Sequence, residues 1–88
     1  MTNPWDDRFE ALLRDALRFL PRDEALRPDL DTNAAGLDSM AMVELLLSLE
    51  TAYDISMPDE FLRPETFASP GALWEAVCAV RAIQSEPA

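Results

Sequence analysis

The sequence has 88 residues, of which 49% are apolar and 27% are charged, and its formal net charge at neutral pH is −10. A chain of this length holds one modest hydrophobic core, and its composition is that of a folded domain rather than a disordered segment. The negative charge argues against a nucleic-acid-binding protein, because phosphate contacts need clustered Lys and Arg side chains.

The sequence also limits the compartment in which the protein works. No apolar run reaches the length that crosses a bilayer, and the acidic N-terminus, interrupted by Pro4, is not a secretory signal. The single cysteine, Cys78, excludes an internal disulfide and is compatible with a reducing compartment. We therefore expect a cytoplasmic monomer without membrane contact, made of one domain over residues 1–88.

Apolar residues spaced three and four apart predict helices along most of the chain. The first helix is predicted to start at Asn3-Pro4, with Asn3 as its cap, and to continue to Leu20, where Pro21 ends it. A long connection over residues 22–38 follows, which is more than helices in a small bundle usually need.

The rest of the chain predicts three further helical segments. These are a second helix over about residues 39–53, a short turn over residues 64–67, and a last helix that starts at Ser69-Pro70 and frays over about residues 84–88. The predicted fold class is therefore all-α: a four-helix bundle with three main helices, a short third helix and a long loop between helices one and two.

The second helix has more apolar residues than one buried face can use. One complete stripe consists of Met42, Leu45, Leu46, Leu49 and Tyr53, which leaves a second stripe of Met40, Val43 and Leu47. Glu44 and Glu50 border the second stripe, within a stretch from Pro28 to Leu62 that has eight acids and no basic residue. The second stripe either docks a partner or broadens the contact with the core.

Ser39, in the stretch GLDSMAMVE, has three possible roles. It can cap the second helix, although Asp38 is an equally good cap. It can be a nucleophile, but the chain has no histidine or lysine to act as its base, so we expect neither an enzyme nor a catalytic residue. It can also be modified by another enzyme, because a phosphate ester there would meet the free N–H groups of a helix N-terminus.

The stretch GLDSMAMVELLLSLE resembles the attachment motif of acyl and peptidyl carrier proteins, Gly-x-Asp-Ser-[Leu/Met] at the start of the second helix. The resemblance covers nearly the whole chain. It implies that Ser39 carries covalent 4′-phosphopantetheine, with Asp38 as the acid before it, and that the thiol of this group holds acyl or aminoacyl intermediates as thioesters. No metal is implied.

The resemblance also implies partners and a surface that they contact. The partners are a phosphopantetheinyl transferase, an acyl- or aminoacyl-loading ligase, and acyltransferase or synthase domains. The implied contact residues are Met40, Val43, Glu44, Leu47, Glu50, Met57 and Asp59. The segment from Ile55 to Asp59, which leads to the third helix, is expected to border the cofactor arm.

The chain is similar to a discrete carrier, and its methionine in the motif and its arginine-only basic residues favour bacterial secondary metabolism. We therefore expect polyketide or nonribosomal peptide biosynthesis, including antibiotic biosynthesis, with the cargo left open between acyl, β-amino acyl and α-aminoacyl groups. The alternative is a helical adaptor that is not modified and docks through the apolar and acidic second helix.

Overall fold

The computed structural model describes residues 4–85. It contains three α-helices, and two short 3₁₀ segments lie between the second and the third. In chain order the elements are α1 (Asp7–Ala16), α2 (Ser39–Tyr53), the 3₁₀ segments Asp59–Phe61 and Pro64–Phe67, and α3 (Pro70–Ser85). Over residues 4–85 there is no strand, and no helix is both long and apolar enough to cross a membrane.

The all-α prediction is confirmed, and the short helical turn predicted over residues 64–67 is present as the second of two 3₁₀ segments. Arg63, between the two segments, has φ −125° and ψ 151°. This extended conformation is what a following proline favours, because the ring of Pro64 disfavours the helical conformation of the residue before it. Over residues 4–85 the fold therefore has the three main helices and two 3₁₀ segments, and their description as a four-helix bundle stays a prediction.

The first helix is shorter than predicted at both ends. It is capped by Asp6, whose carboxylate accepts a hydrogen bond of 2.8 Å from the N–H of Phe9, while the predicted cap Asn3 lies outside the described residues. It ends at Ala16 instead of Leu20, because the backbone turns at Leu17 (φ −91°, ψ 83°). Beyond the turn, the N–H of Phe19 donates to Ala35 of the long loop at 2.9 Å. Pairing with the loop thus replaces the last predicted turn of helix.

The core is formed by all three helices together with the long loop. The buried apolar side chains include Phe9, Leu13 and Leu17 from the first helical region, Leu45 and Leu49 from α2, Leu73, Val77 and Val80 from α3, and Leu26 and Leu37 from the loop. The loop thus crosses the bundle with its apolar residues inward, which explains its length.

Two residues mark the C-terminal part of α3. Ile83 is 61% exposed, although its spacing from the buried Val77 and Val80 would continue their side of the helix. The side-chain amide of Gln84 accepts from the N–H of Ser56 at 3.0 Å and donates to the carbonyl of Ser56 at 2.7 Å. The helix continues to Ser85.

Tyr53, the last residue of α2, joins the second helix to the other two. Its hydroxyl donates to Asp6 at 2.6 Å, and its ring packs against Trp74 with the centroids 6.2 Å apart. Burial raises the pKa of Tyr53, and the neighbouring Asp6 carboxylate raises it further. Burial alone would raise the pKa of Asp6, but hydrogen bonds from Tyr53 and Phe9, with the charge of Arg8, outweigh it and leave that pKa below its usual value.

This hydrogen bond predicts a pH-dependent effect of Tyr53→Phe. Near neutral pH we expect a loss of about 1 kcal/mol in the free energy of unfolding, because a charged acceptor loses its donor at a partly exposed site. The pKa of Asp6 is lower in the folded chain, so its contribution is present above the unfolded pKa of about 3.9 and is lost as the pH falls through the folded value. Urea denaturation of both proteins as a function of pH measures the difference, which should shrink below pH of about 4. If the difference in the free energy of unfolding stayed constant down to acid pH, the hydroxyl of Tyr53 would not be stabilised by the Asp6 carboxylate.

Candidate functional site

Asp38 caps the second helix. It has φ −94° and ψ −177°, and its Oδ1 accepts a hydrogen bond of 2.8 Å from the N–H of Ala41. Its backbone carbonyl accepts from the N–H of Met42 at 2.9 Å. Of the two cap candidates that the sequence offered, the structure uses Asp38, so Ser39 becomes the first residue of the helix.

The Ser39 side chain is exposed at the start of α2. None of the hydrogen bonds of residues 4–85 involves its hydroxyl. Since the chain has no histidine or lysine, it offers no neutral base that would activate this oxygen. The hydroxyl of Ser39 is therefore accessible from solvent, and no group of residues 4–85 occupies it.

Gly36 fixes the approach of the chain to Ser39. Its φ is +105°, a conformation that residues with a Cβ rarely adopt, and a Cβ built there would lie 3.1 Å from the backbone nitrogens of Arg18 and Phe19. The segment after α1 therefore packs directly against the loop before Ser39. Leu37, the next residue, is buried and its N–H donates to the carbonyl of Thr32 at 2.9 Å.

Thr32 ties the long loop to the second 3₁₀ segment. It is the buried polar residue of the described core, at 2% exposure. Its hydroxyl donates to the carbonyl of Phe67, and its N–H donates to the carbonyl of Ala68 at 3.2 Å. Both of its donors are thus satisfied by the 3₁₀ region, which holds that region next to the start of α2.

A half-open cleft of about 570 Å³ lies between these segments and has Ser39 among its lining residues. The other lining residues are Asp31, Thr32, Asn33, Leu37, Asp38, Met42, Pro64, Phe67 and Ala68. The segment from Ile55 to Asp59, expected to border the cofactor arm, does not line this cleft. The contacts of Thr32 bring residues 64–68 there instead.

Arg18 was missed by the sequence analysis and lies at this site. Its Nη1 is 3.8 Å from Oδ2 of Asp38, and both side chains are more than half exposed. No local pattern connects positions 18 and 38. Gly36 was the one sequence signal of this contact, because a glycine just before a helix indicates that another part of the backbone packs closely there.

The outer stripe of α2 is exposed. Met40 is 72% exposed, and Val43 and Leu47 are each 57% exposed. Of the two alternatives left open by the sequence, a broader contact with the core is therefore excluded for these three residues, and Glu44 beside them is also exposed. We call Met40, Val43, Glu44 and Leu47 the α2 face.

Three further residues assigned to partner contact differ in their surroundings. Met57 is only 7% exposed and packs in the core, so it offers almost no surface and is corrected to a core residue. Glu50 is half-buried, and its carboxylate accepts from the N–H of Met57 at 2.8 Å, so it orders the chain after α2. Asp59 is exposed at the start of a 3₁₀ segment.

Because Asp38 caps α2 and Ser39 does not, alanine substitutions at these two neighbouring residues should affect stability unequally. Asp38→Ala should lower the free energy of unfolding by about 1 kcal/mol, because the N–H of Ala41 loses its acceptor. Ser39→Ala should change it by less than about 0.5 kcal/mol, because the hydroxyl makes no bond to lose. Urea denaturation measures both. Equal destabilisation by the two changes would mean that Ser39 shares the cap.

Comparison with known proteins identifies the family of the chain. The model of the family described as "Phosphopantetheine attachment site" matches residues 7–77, most of the chain. An aminoacyl carrier protein of Agrobacterium fabrum is 41% identical over 54 residues, which are 61% of this chain. The match spans 65% of that relative, slightly less than two thirds of its length. Because the family match extends over both Ser39 and the segments that position it, the chain belongs to the family of carrier proteins that hold a covalently attached 4′-phosphopantetheine.

Proposed function

We propose that Ser39 is the residue that carries 4′-phosphopantetheine, and that the chain presents a thioester-bound cargo to partner enzymes. The observation that carries this proposal is the exposed hydroxyl at the first position of α2, which makes no hydrogen bond within residues 4–85 because Asp38 caps the helix. A serine that served only as a cap would have this oxygen directed at a backbone N–H.

The residues around Ser39 fit a phosphodiester. The first N–H groups of a helix have no partner within the helix, and the carboxylate of Asp38 accepts the one of Ala41, while the N–H of Met42 makes the first regular helical bond, to the carbonyl of Asp38. The N–H groups of Ser39 and Met40 remain for phosphate oxygens, at the positive end of a 15-residue helix. The cleft beside Ser39 has both polar and apolar walls, which suits an arm of alternating amide and methylene groups.

The attachment needs a partner to activate Ser39. Its Oγ forms a bond with the β-phosphorus of coenzyme A, the pyrophosphate link breaks, and adenosine 3′,5′-bisphosphate leaves. The hydroxyl proton goes to a base of the transferase, since this chain has no histidine or lysine. When bound, the arm supplies a thiol that holds the cargo as a thioester. The chain itself anchors the cargo and raises its effective concentration at partner active sites, and it catalyses no step.

The cargo that we propose is an aminoacyl group. The name of the Agrobacterium fabrum relative supports it, and so do the polar side chains Asp31, Asn33 and Asp38 in the cleft, which suit a small polar group better than a long alkyl chain. Acyl and β-amino acyl groups are the alternatives. We place the carrier in bacterial nonribosomal peptide or polyketide biosynthesis, of which an aminoacyl cargo favours the former.

The proposed docking surface for partner enzymes is the α2 face. Three exposed apolar side chains supply contact area next to Ser39, and Glu44 adds a charge that attracts a basic partner. Asp59 extends the negative surface. The proposed partners are the transferase, an aminoacyl-loading ligase, and acyltransferase or synthase domains. An adaptor that is never modified would use the same face. It differs from a carrier because it would gain no phosphopantetheine from a transferase.

Intact mass spectrometry after incubation with coenzyme A and a broad-specificity phosphopantetheinyl transferase tests the attachment. We expect the wild-type chain to gain one phosphopantetheine and Ser39→Ala to gain none. Ser39→Ala is a clean control because its free energy of unfolding should match the wild type. No gain by the wild-type chain with several transferases would favour the adaptor, and a gain by Ser39→Ala would place the arm elsewhere.

Charge reversal on two exposed glutamates tests the docking surface. Glu44→Arg should lower kcat/KM of the transferase for the carrier about tenfold, the equivalent of about 1.4 kcal/mol, because the change repels a basic partner. Glu75→Arg, with the same charge change on exposed α3, is the matched control and should leave kcat/KM within about twofold. Glu50 is unsuitable for this test, since its carboxylate also holds the N–H of Met57. If both reversals lowered kcat/KM equally, the net charge of the chain would explain the effect, and the α2 face would not be the docking surface.

A further inference from the structure

Arg18 is the basic side chain that the fold brings to the attachment motif. The stretch from Pro28 to Leu62 contains no basic residue, so any local counter-charge must come from another segment. The backbone of Arg18 and Phe19 packs against Gly36, and the N–H of Phe19 donates to Ala35, which places the Arg18 guanidinium beside Asp38.

The contact between Arg18 and Asp38 is loose. The distance of 3.8 Å from Nη1 to Oδ2 is too long for a hydrogen bond, and the two side chains are 58% and 57% exposed. Exposed ion pairs of this kind contribute little to stability, so the guanidinium can turn at little cost. The position of the Asp38 side chain does not depend on Arg18 either, because its Oδ1 accepts the capping hydrogen bond of α2.

Other arginines near this end of α1 differ from Arg18. Arg14 is committed to Glu10 at 3.0 Å and to the carbonyl of Glu24 at 2.9 Å. Arg22 lines the same surface cleft as Arg14 and Arg18, and is not in ion-pair contact with the motif. Arg22 is therefore a matched control: it is an exposed arginine on the same surface that does not contact Asp38.

Attachment of the arm adds a second negative charge next to Asp38. We propose that Arg18 then bridges the Asp38 carboxylate and the phosphodiester on Ser39, and so positions the first part of the arm. A guanidinium presents five donors in a planar fork and can bond to a carboxylate and a phosphate oxygen together. This inference rests on the proposed attachment at Ser39 and assigns Arg18 as a positioning residue.

The test compares the chain before and after enzymatic attachment of phosphopantetheine. In spectra of ¹⁵N-labelled protein, the Nε–H signal of Arg18 should shift on attachment, while that of Arg22 stays in place. The ³¹P signal of the phosphodiester should shift in Arg18→Gln relative to wild type, coincide with wild type in Arg22→Gln, and move back towards wild type in Arg18→Lys. Sodium chloride at about 1 M should reduce these differences, because the pair is exposed.

The outcomes separate this inference from the proposed function. An Arg18 signal that does not move on attachment, with the same ³¹P shift in all variants, would overturn the bridge and leave Ser39 as the attachment residue. If Arg18→Gln is a poor substrate for the transferase, too little of the modified variant forms for the ³¹P comparison. The shift of the Arg18 Nε–H signal in the wild type then tests the bridge by itself. A wild-type chain that is not modified at all would overturn the proposed function, and the bridge with it.

Discussion

The hydrogen bond from the N–H of Ala41 to the carboxylate of Asp38, 2.8 Å long, determines how the rest of the site is used. It begins α2 at Ser39 and takes over the capping role that a serine at this point would otherwise have. The hydroxyl of Ser39 is consequently exposed and uncommitted, while its backbone N–H lies at the positive end of the helix. Moving the cap by one residue would use up the group that we propose to be modified.

The long loop holds this cap in position. Leu26 and Leu37 anchor it in the core, Thr32 bonds it to residues 67 and 68, and Gly36 lets it pack on the backbone after α1. Four separate parts of the chain therefore meet at Ser39: the end of the first helical region, the loop, the second 3₁₀ segment and α2. An exposed serine positioned in this way can be reached by a partner enzyme without rearrangement of the core.

The parts of the structure that local patterns determine could be predicted from the sequence. The bounds of α2 and the Ser69 cap of α3 follow from spacing and capping residues, and both are confirmed. Spacing also singled out Met40, Val43 and Leu47 as surplus to the core stripe, and the structure places them on the surface. The errors arise from tertiary contacts, which spacing does not encode. The bond from Phe19 to Ala35 ends α1 early, the carboxylate of Glu50 holds the N–H of buried Met57, and Arg18 reaches Asp38 across 20 positions.

The central claim is that the arm is attached to Ser39 and to no other hydroxyl. Peptide mapping of the modified chain by tandem mass spectrometry tests it most directly, because fragment ions locate the added group on one residue. The account predicts that all of the phosphopantetheine is found on Ser39, the one serine at the start of α2 whose hydroxyl is free beside a separate cap. Modification found on Ser48, Ser56 or Ser69 instead would contradict it.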